Sequence, residues 1–110
     1  MKIKHLRLAV SFFWDCTEKE FNDYFYKNYN IKFELTGAEG TFNRYRDKNI
    51  IASYIWIKKK NNYVTLAHEI IHMVIFWLQN VRKINLDEDT QEVNTMLHSF
   101  YMGEFLKALK

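Results

Sequence analysis

Apolar and polar residues alternate along several stretches of the chain, and this alternation predicts β-strands. The first stretch runs from His5 to Phe12, where apolar residues three and four apart would also fit a helix; we favour the strand. Ile31 to Leu35 alternates in the same way, and Thr41 to Arg46 follows a glycine-containing turn. Ile50 to Ile57 is rich in β-branched and aromatic residues and gives the clearest strand signal. We therefore expect four strands.

Helical signals occur at three places. Thr17 and Glu20 form a capping box, which opens a helix that continues to about Tyr29. An apolar helix is predicted from about Tyr63 to Gln79, capped by Asn61 or Asn62; since it is apolar nearly all round, we expect it to be buried on most sides. The inner side of the first helix would carry three aromatic residues, Phe21, Tyr24 and Phe25.

A final helix is predicted from Glu88 to about Leu109, after a loop from Asn80 to Asp87. The elements then follow the order strand, helix, three strands, helix, helix. This order is typical of an α+β domain in which a small, mostly antiparallel sheet is flanked by helices. A chain of 110 residues has the size of one such domain, so we assign residues 1–110 to a single unit.

Composition narrows the classes of partner. The net charge of +3 is mild and no basic stripe is interleaved with aromatic residues, so we expect no nucleic-acid partner. The apolar stretch Val64–Leu78 is too short to cross a membrane and contains His68, Glu69 and His72, so we expect no membrane segment. Cys16 is the only cysteine, and a chain without an intramolecular disulfide is typical of the cytoplasm.

The predicted apolar helix contains the pentapeptide His68-Glu69-Ile70-Ile71-His72. Residues four apart share one face of a helix, so both imidazoles can bring a nitrogen to one zinc ion at about 2.0–2.1 Å. Glu69 lies ~100° around the helix, where its carboxylate can reach a metal-bound water without binding the metal. Two ligands and a general base on one turn are typical of a zinc peptidase.

A catalytic zinc ion needs three protein ligands and an open position. Glu92 follows His72 by twenty residues, enough chain to finish one helix and return a second beside it. Glu88 lies one turn earlier on the same face and is the second candidate. The alternative is that Glu92 serves only as the acidic end of a capping box with Asp89.

The run Thr65–His72, a strand pair upstream and a glutamate twenty residues downstream together resemble the gluzincins, and in particular their single-domain minimal members, the minigluzincins. The resemblance implies a minimal zincin-like fold with an active-site helix and a following glutamate helix. It implies one zinc ion per chain held by His68, His72 and Glu92, with Glu69 as general base. The larger gluzincins usually carry an aspartate four residues after the ligand glutamate, a position that Met96 occupies here.

The resemblance implies a soluble zinc-dependent endopeptidase that cleaves peptides or proteins lying along an edge strand. We expect Glu69 to assist the attack of a zinc-bound water. Ile50–Ile57 is the most plausible edge strand, and Tyr54 and Trp56 on one of its faces either line side-chain pockets or pack in the core. The alternatives are a zinc-stabilised binding module without turnover and an interaction protein in which the pentapeptide is accidental.

Aromatic residues make up 17% of the chain, more than so small a core is expected to bury, so a binding groove or a self-association patch is expected. Phe100–Leu109 is apolar and helical in pattern, and Gly103 within it would allow bending. The resemblance to the minigluzincins also implies latency, because in members of that group segments of the protein itself tend to block the active-site cleft. We therefore expect that this segment, or that of a neighbouring chain, docks near the zinc cleft in a homo-oligomer; the alternative is that it completes the core.

Overall fold

The computed structural model describes the backbone of residues 1–47, 50–81 and 88–110, and the side chains of residues 1–46, 51–80 and 93–110. The described elements, in chain order, are β1 (Lys2–Leu6), β2 (Val10–Trp14), α1 (Glu18–Tyr29), β3 (Gly40–Asp47), β4 (Ile50–Ile57), α2 (Tyr63–Phe76), a π-helical turn (Trp77–Val81) and α3 (Glu88–Ala108).

The described strands form one four-stranded sheet in the order β1-β2-β4-β3. β1 pairs with β2 and β3 pairs with β4 in antiparallel fashion, whereas β2 and β4 are parallel. The parallel pair is connected through α1, as parallel neighbours require a long crossover. The predicted α+β class is confirmed, and the sheet is mixed.

Two of the predicted strands are wrong. Residues 5–12 form not one strand but parts of a hairpin, which reverses where Leu8 and Ala9 adopt positive φ angles of 61° and 55°. No glycine or asparagine marks that reversal, so the alternation simply continues through it. Residues 31–35 form no strand; Ile31 and Phe33 pack against a core cluster, and this inward packing of alternate residues explains the pattern.

The helix predictions fare better, with one exception. Thr17 and Glu20 form both hydrogen bonds of the capping box that opens α1. The side chain of Asn62 accepts from the backbone of Thr65 and caps α2. However, α2 is buried on one face only, so the expected burial on most sides is wrong. Because the helix packs with one face on the sheet, Val64 on the opposite face of the helix is 82% exposed.

The sheet separates two clusters of buried side chains. The larger cluster, which contains Phe12 and Ile55, packs against α2 and α3, and the smaller one, with Phe13, packs against α1. Tyr54 and Trp56 belong to the smaller cluster and are buried. Their packing follows the alternative stated for them, in which they fill the core and do not line pockets.

The C-terminal part of α3 also packs into the core. Tyr101 and Phe105 are buried, and the ring of Phe105 stacks on that of Phe12 with centroids 4.3 Å apart. The inner face of the segment from Phe100 to Leu109 thus completes the larger cluster, whereas Phe100 itself remains exposed. Among the described helices, none is long and apolar enough to cross a membrane.

Candidate active site

The side chains of His68 and His72 meet on the exposed side of α2. Their Nε2 atoms lie 3.0 Å apart and their rings are nearly perpendicular, with an interplanar angle of 83°. At this distance one Nε2 donates an N–H to the other, so the same nitrogen of each ring lies at the contact. One helical turn separates the two residues, which is why α2 alone creates the pair.

This pair fits the ligand geometry of a zinc ion. Two nitrogen ligands of a tetrahedral zinc at about 2.0–2.1 Å are about 3.3–3.4 Å apart. The two Nε2 atoms, now at 3.0 Å, need to separate by only a few tenths of an ångström. Because both side chains are exposed, small rotations of the rings suffice and no core packing has to change.

Glu69 is less exposed than the two histidines beside it. It is half-buried, and burial raises the pKa of its carboxyl group. The neighbouring His68 and His72, and to a lesser extent the nearby backbone of Phe42, act in the opposite direction and lower this pKa. Glu69 and Phe42 line the same groove between α2 and the strand β3.

An open cleft of about 440 Å³ lies where α2 faces β3. Glu69 and His72 line it on the side of the pentapeptide, and Phe42 and Arg44 line it on the side of β3. The cleft continues along the end of α2, where its lining residues are Ile75, Phe76, Gln79 and Asn80. The candidate base and one candidate ligand therefore share a groove that is open to solvent.

The strand beside this cleft is β3, which forms one edge of the described sheet. The prediction that Ile50–Ile57 is the edge strand is wrong, because this strand, β4, lies between β2 and β3. Antiparallel neighbours alternate between pairs that exchange backbone hydrogen bonds and pairs that do not. Lys58 donates its N–H to the carbonyl of Glu39 at 2.8 Å, so in this register the backbone groups of Phe42 and Arg44 point away from β4.

The third predicted ligand, Glu92, has its backbone in α3, and its side chain and that of Glu88 lie outside the described part. Among the residues whose side chains are described, no group of three His, Cys, Asp or Glu side chains forms a metal site. α3 nevertheless contacts α2 beside the histidine pair, since Nε2 of His98 lies 3.4 Å from the carbonyl oxygen of Ala67.

Sequence reasoning missed the part of the site that β3 supplies. Phe42 and Arg44 are two residues apart and therefore lie on the same face of a strand, which the sequence shows. Only the packing of β3 against α2 brings them close to Glu69. The aromatic partner of Arg44 is Phe76, 32 residues later in the chain. A contact over that separation leaves no local signal.

The chain was compared with protein family models, with curated proteins and with solved structures, and none of them matches it.

Proposed function

We propose that this chain is a zinc-dependent endopeptidase of minimal zincin type, with His68, His72 and Glu92 as zinc ligands and Glu69 as the general base. One observation carries the proposal: the two Nε2 atoms converge at 3.0 Å beside a glutamate that faces an open cleft. A purely structural metal site gives no reason for a half-buried carboxylate next to its ligands.

The edge of β3 supplies the means of holding a peptide. Phe42 and Arg44 direct backbone N–H and C=O groups away from β4, toward the open side of the sheet. An extended peptide can pair with such groups as an additional strand, a mode that recognises the backbone of many sequences. Since Phe42, Arg44 and Glu69 line the same cleft, a peptide paired with this edge would pass beside the carboxylate.

Glu69 then has two proton-transfer steps. It accepts a proton from the attacking water and returns it to the nitrogen of the leaving amine. Burial raises its pKa, which makes the carboxylate a better base than a fully solvated glutamate. When bound, zinc would supply Lewis acidity that acidifies water and polarises the scissile carbonyl.

The decisive experiment separates metal binding from turnover. Glu69→Gln keeps the shape of the side chain but removes its basicity, so the variant should retain zinc and lose hydrolysis of an unstructured protein substrate by 10²-fold or more, on the order expected for a general base. Glu34→Gln removes an exposed carboxylate on a loop that does not line the cleft, and serves as the control with unchanged activity.

Hydrolysis by wild type that survives in zinc-loaded Glu69→Gln would refute the role of Glu69. Zinc binding without any hydrolysis by wild type, across a broad set of peptides, would identify a zinc-stabilised binding module. Absence of zinc from wild type in the presence of excess metal would show that the pentapeptide has no metal-binding role.

A further inference from the structure

Arg44 is held in the cleft by an aromatic ring. Its Cζ atom lies 4.4 Å from the centroid of the Phe76 ring, a distance typical of a cation–π contact. Phe76 in turn packs against Phe42, with ring centroids 5.9 Å apart. Arg44 is exposed, and this contact places its guanidinium group at the boundary between β3 and α2, beside the groove that Glu69 lines.

The positive charge of Arg44 is not neutralised by the described residues around it. Within the described side chains, no carboxylate lies within 4.0 Å of its guanidinium group. Among the described residues that line the cleft, Glu69 is the only acidic one. The end of the cleft farthest from Glu69 is lined by the neutral amides of Gln79 and Asn80. A guanidinium that stacks on a ring keeps its N–H fork available for a planar anion.

We propose that Arg44 binds an acidic side chain of the peptide substrate, so that the enzyme prefers aspartate or glutamate at the substrate residue that pairs with Arg44. This inference rests on the proposed function and on pairing of the substrate with the edge of β3. It assigns to the same cleft a substrate class, namely peptides with a carboxylate at one fixed distance from the cleaved bond.

The register of a sheet gives that distance. Residues directly opposite one another on neighbouring strands project their side chains to the same face. Phe42 and Arg44 both contact Phe76 on α2, so their face of β3 is the one that faces the cleft. A substrate residue opposite Arg44 therefore also points into the cleft that Glu69 lines, two positions from the residue opposite Phe42.

The size of the preference follows from the kind of contact. Exposed ion pairs contribute little unless the geometry is well defined. Here the ring of Phe76 fixes the guanidinium, and a bidentate contact with a carboxylate becomes possible. Hydrogen bonds to charged groups contribute more than neutral ones, so we expect a preference for glutamate over glutamine on the order of tenfold.

The test uses a peptide series in which one glutamate replaces a glutamine at each position in turn, and kcat/KM is measured with the zinc-loaded protein. Glutamate should be preferred about tenfold at a single position. The preference should fall toward unity in Arg44→Gln and at about 1 M salt, where the Debye length is about 3 Å. Arg44→Glu should invert it in favour of lysine at that position.

Arg46→Gln is the matched control, because Arg46 lies two residues further along the same face of β3 and does not line the cleft. This variant should keep the preference for glutamate. Equal preference in wild type and Arg44→Gln, or an absence of any position at which glutamate is favoured, would overturn the assignment of Arg44.

A binding measurement keeps this inference separate from the proposed reaction. Fluorescence anisotropy with labelled peptides and zinc-loaded Glu69→Gln should show tighter binding of the glutamate peptide, again dependent on Arg44. If wild type hydrolyses no peptide but this Arg44-dependent binding is present, the peptidase proposal fails and the role of Arg44 in ligand selection remains. If hydrolysis is present without an Arg44-dependent preference, the inference about Arg44 fails alone. If both are absent, both fail.

Discussion

Gly40 of β3 packs so closely against Thr65 of α2 that a Cβ atom at position 40 would lie 2.5 Å from Cγ2 of Thr65. It would also lie 3.0 Å from the backbone carbonyl oxygen of Trp56. Thr65 is β-branched and therefore stiff about χ1, and the carbonyl belongs to the central strand β4. Gly40 thus permits the close approach of β3 and α2, the two elements that enclose the cleft.

Gly40→Ala should therefore destabilise the protein by about 1–3 kcal/mol, the usual cost of overpacking. Gly103→Ala is the control, because a Cβ atom there would meet nothing within 4 Å. Gly103 lies inside α3, where alanine is favoured over glycine by about 0.8–1.0 kcal/mol, so this variant should be more stable than wild type. Urea denaturation measures both changes, and a stabilising Gly40→Ala would contradict the close contact.

Local features of the fold could be predicted from the sequence, whereas pairings between distant residues could not. The capping box at Thr17 and the pentapeptide from His68 to His72 act within one helical turn, so residue spacing alone determines them. The parallel pairing of β2 with β4 depends on how α1 crosses the sheet, and no pattern of residues predicts that crossing.

The same division applies to the candidate site. The histidine pair and Glu69 follow from helix geometry, but the edge strand had to be found in the structure. Ile50–Ile57 is the most apolar strand because both of its faces are covered, and it lies in the interior of the sheet. The less apolar strand β3, with its two arginines, is the one at the edge.

Zinc binding is the first functional prediction. Wild type should bind one zinc ion per chain, and His68→Ala or His72→Ala should lose it, as determined by mass spectrometry of the metal content. At zinc concentrations of about 100 times the Kd, binding should raise the free energy of unfolding by about 2.7 kcal/mol. His5→Ala is a suitable control, because His5 is hydrogen-bonded to Ser11 at 2.8 Å in the β1–β2 hairpin.

The choice between the two candidate third ligands is tested by the same measurement. Glu92→Ala should weaken zinc binding strongly, since it removes one of three ligands, whereas Glu88→Ala should leave most of the affinity. The reverse result, full affinity in Glu92→Ala and loss in Glu88→Ala, would assign the third ligand to Glu88.

The dependence of activity on pH follows from Glu69 and the two histidines. Burial raises the pKa of Glu69, so protonation removes the base at a higher pH than for an exposed glutamate. Imidazole ligands must also be unprotonated to bind metal. We expect kcat/KM to fall below about pH 6. Zinc content measured over the same range distinguishes loss of the metal from protonation of Glu69, and constant activity to about pH 5 would contradict the prediction.

Self-association remains a prediction, and the packing of α3 now limits which residues can mediate it. Tyr101 and Phe105 are buried in the core. Met96 and Phe100 of the same helix are 64% and 46% exposed. Exposed apolar residues on one helix are a plausible contact between chains. If this contact also blocks the cleft, the specific activity should fall as protein concentration rises, while the mass from light scattering increases.

The variant Met96→Lys/Phe100→Ser should abolish both effects by removing the apolar contact. Tyr26→Ser, which changes an exposed aromatic residue on α1, is the control and should retain them. A rise in mass without loss of activity would show association that leaves the cleft open. Constant mass and constant specific activity over roughly a hundredfold dilution would exclude concentration-dependent blocking, because mass action must shift any such equilibrium over that range.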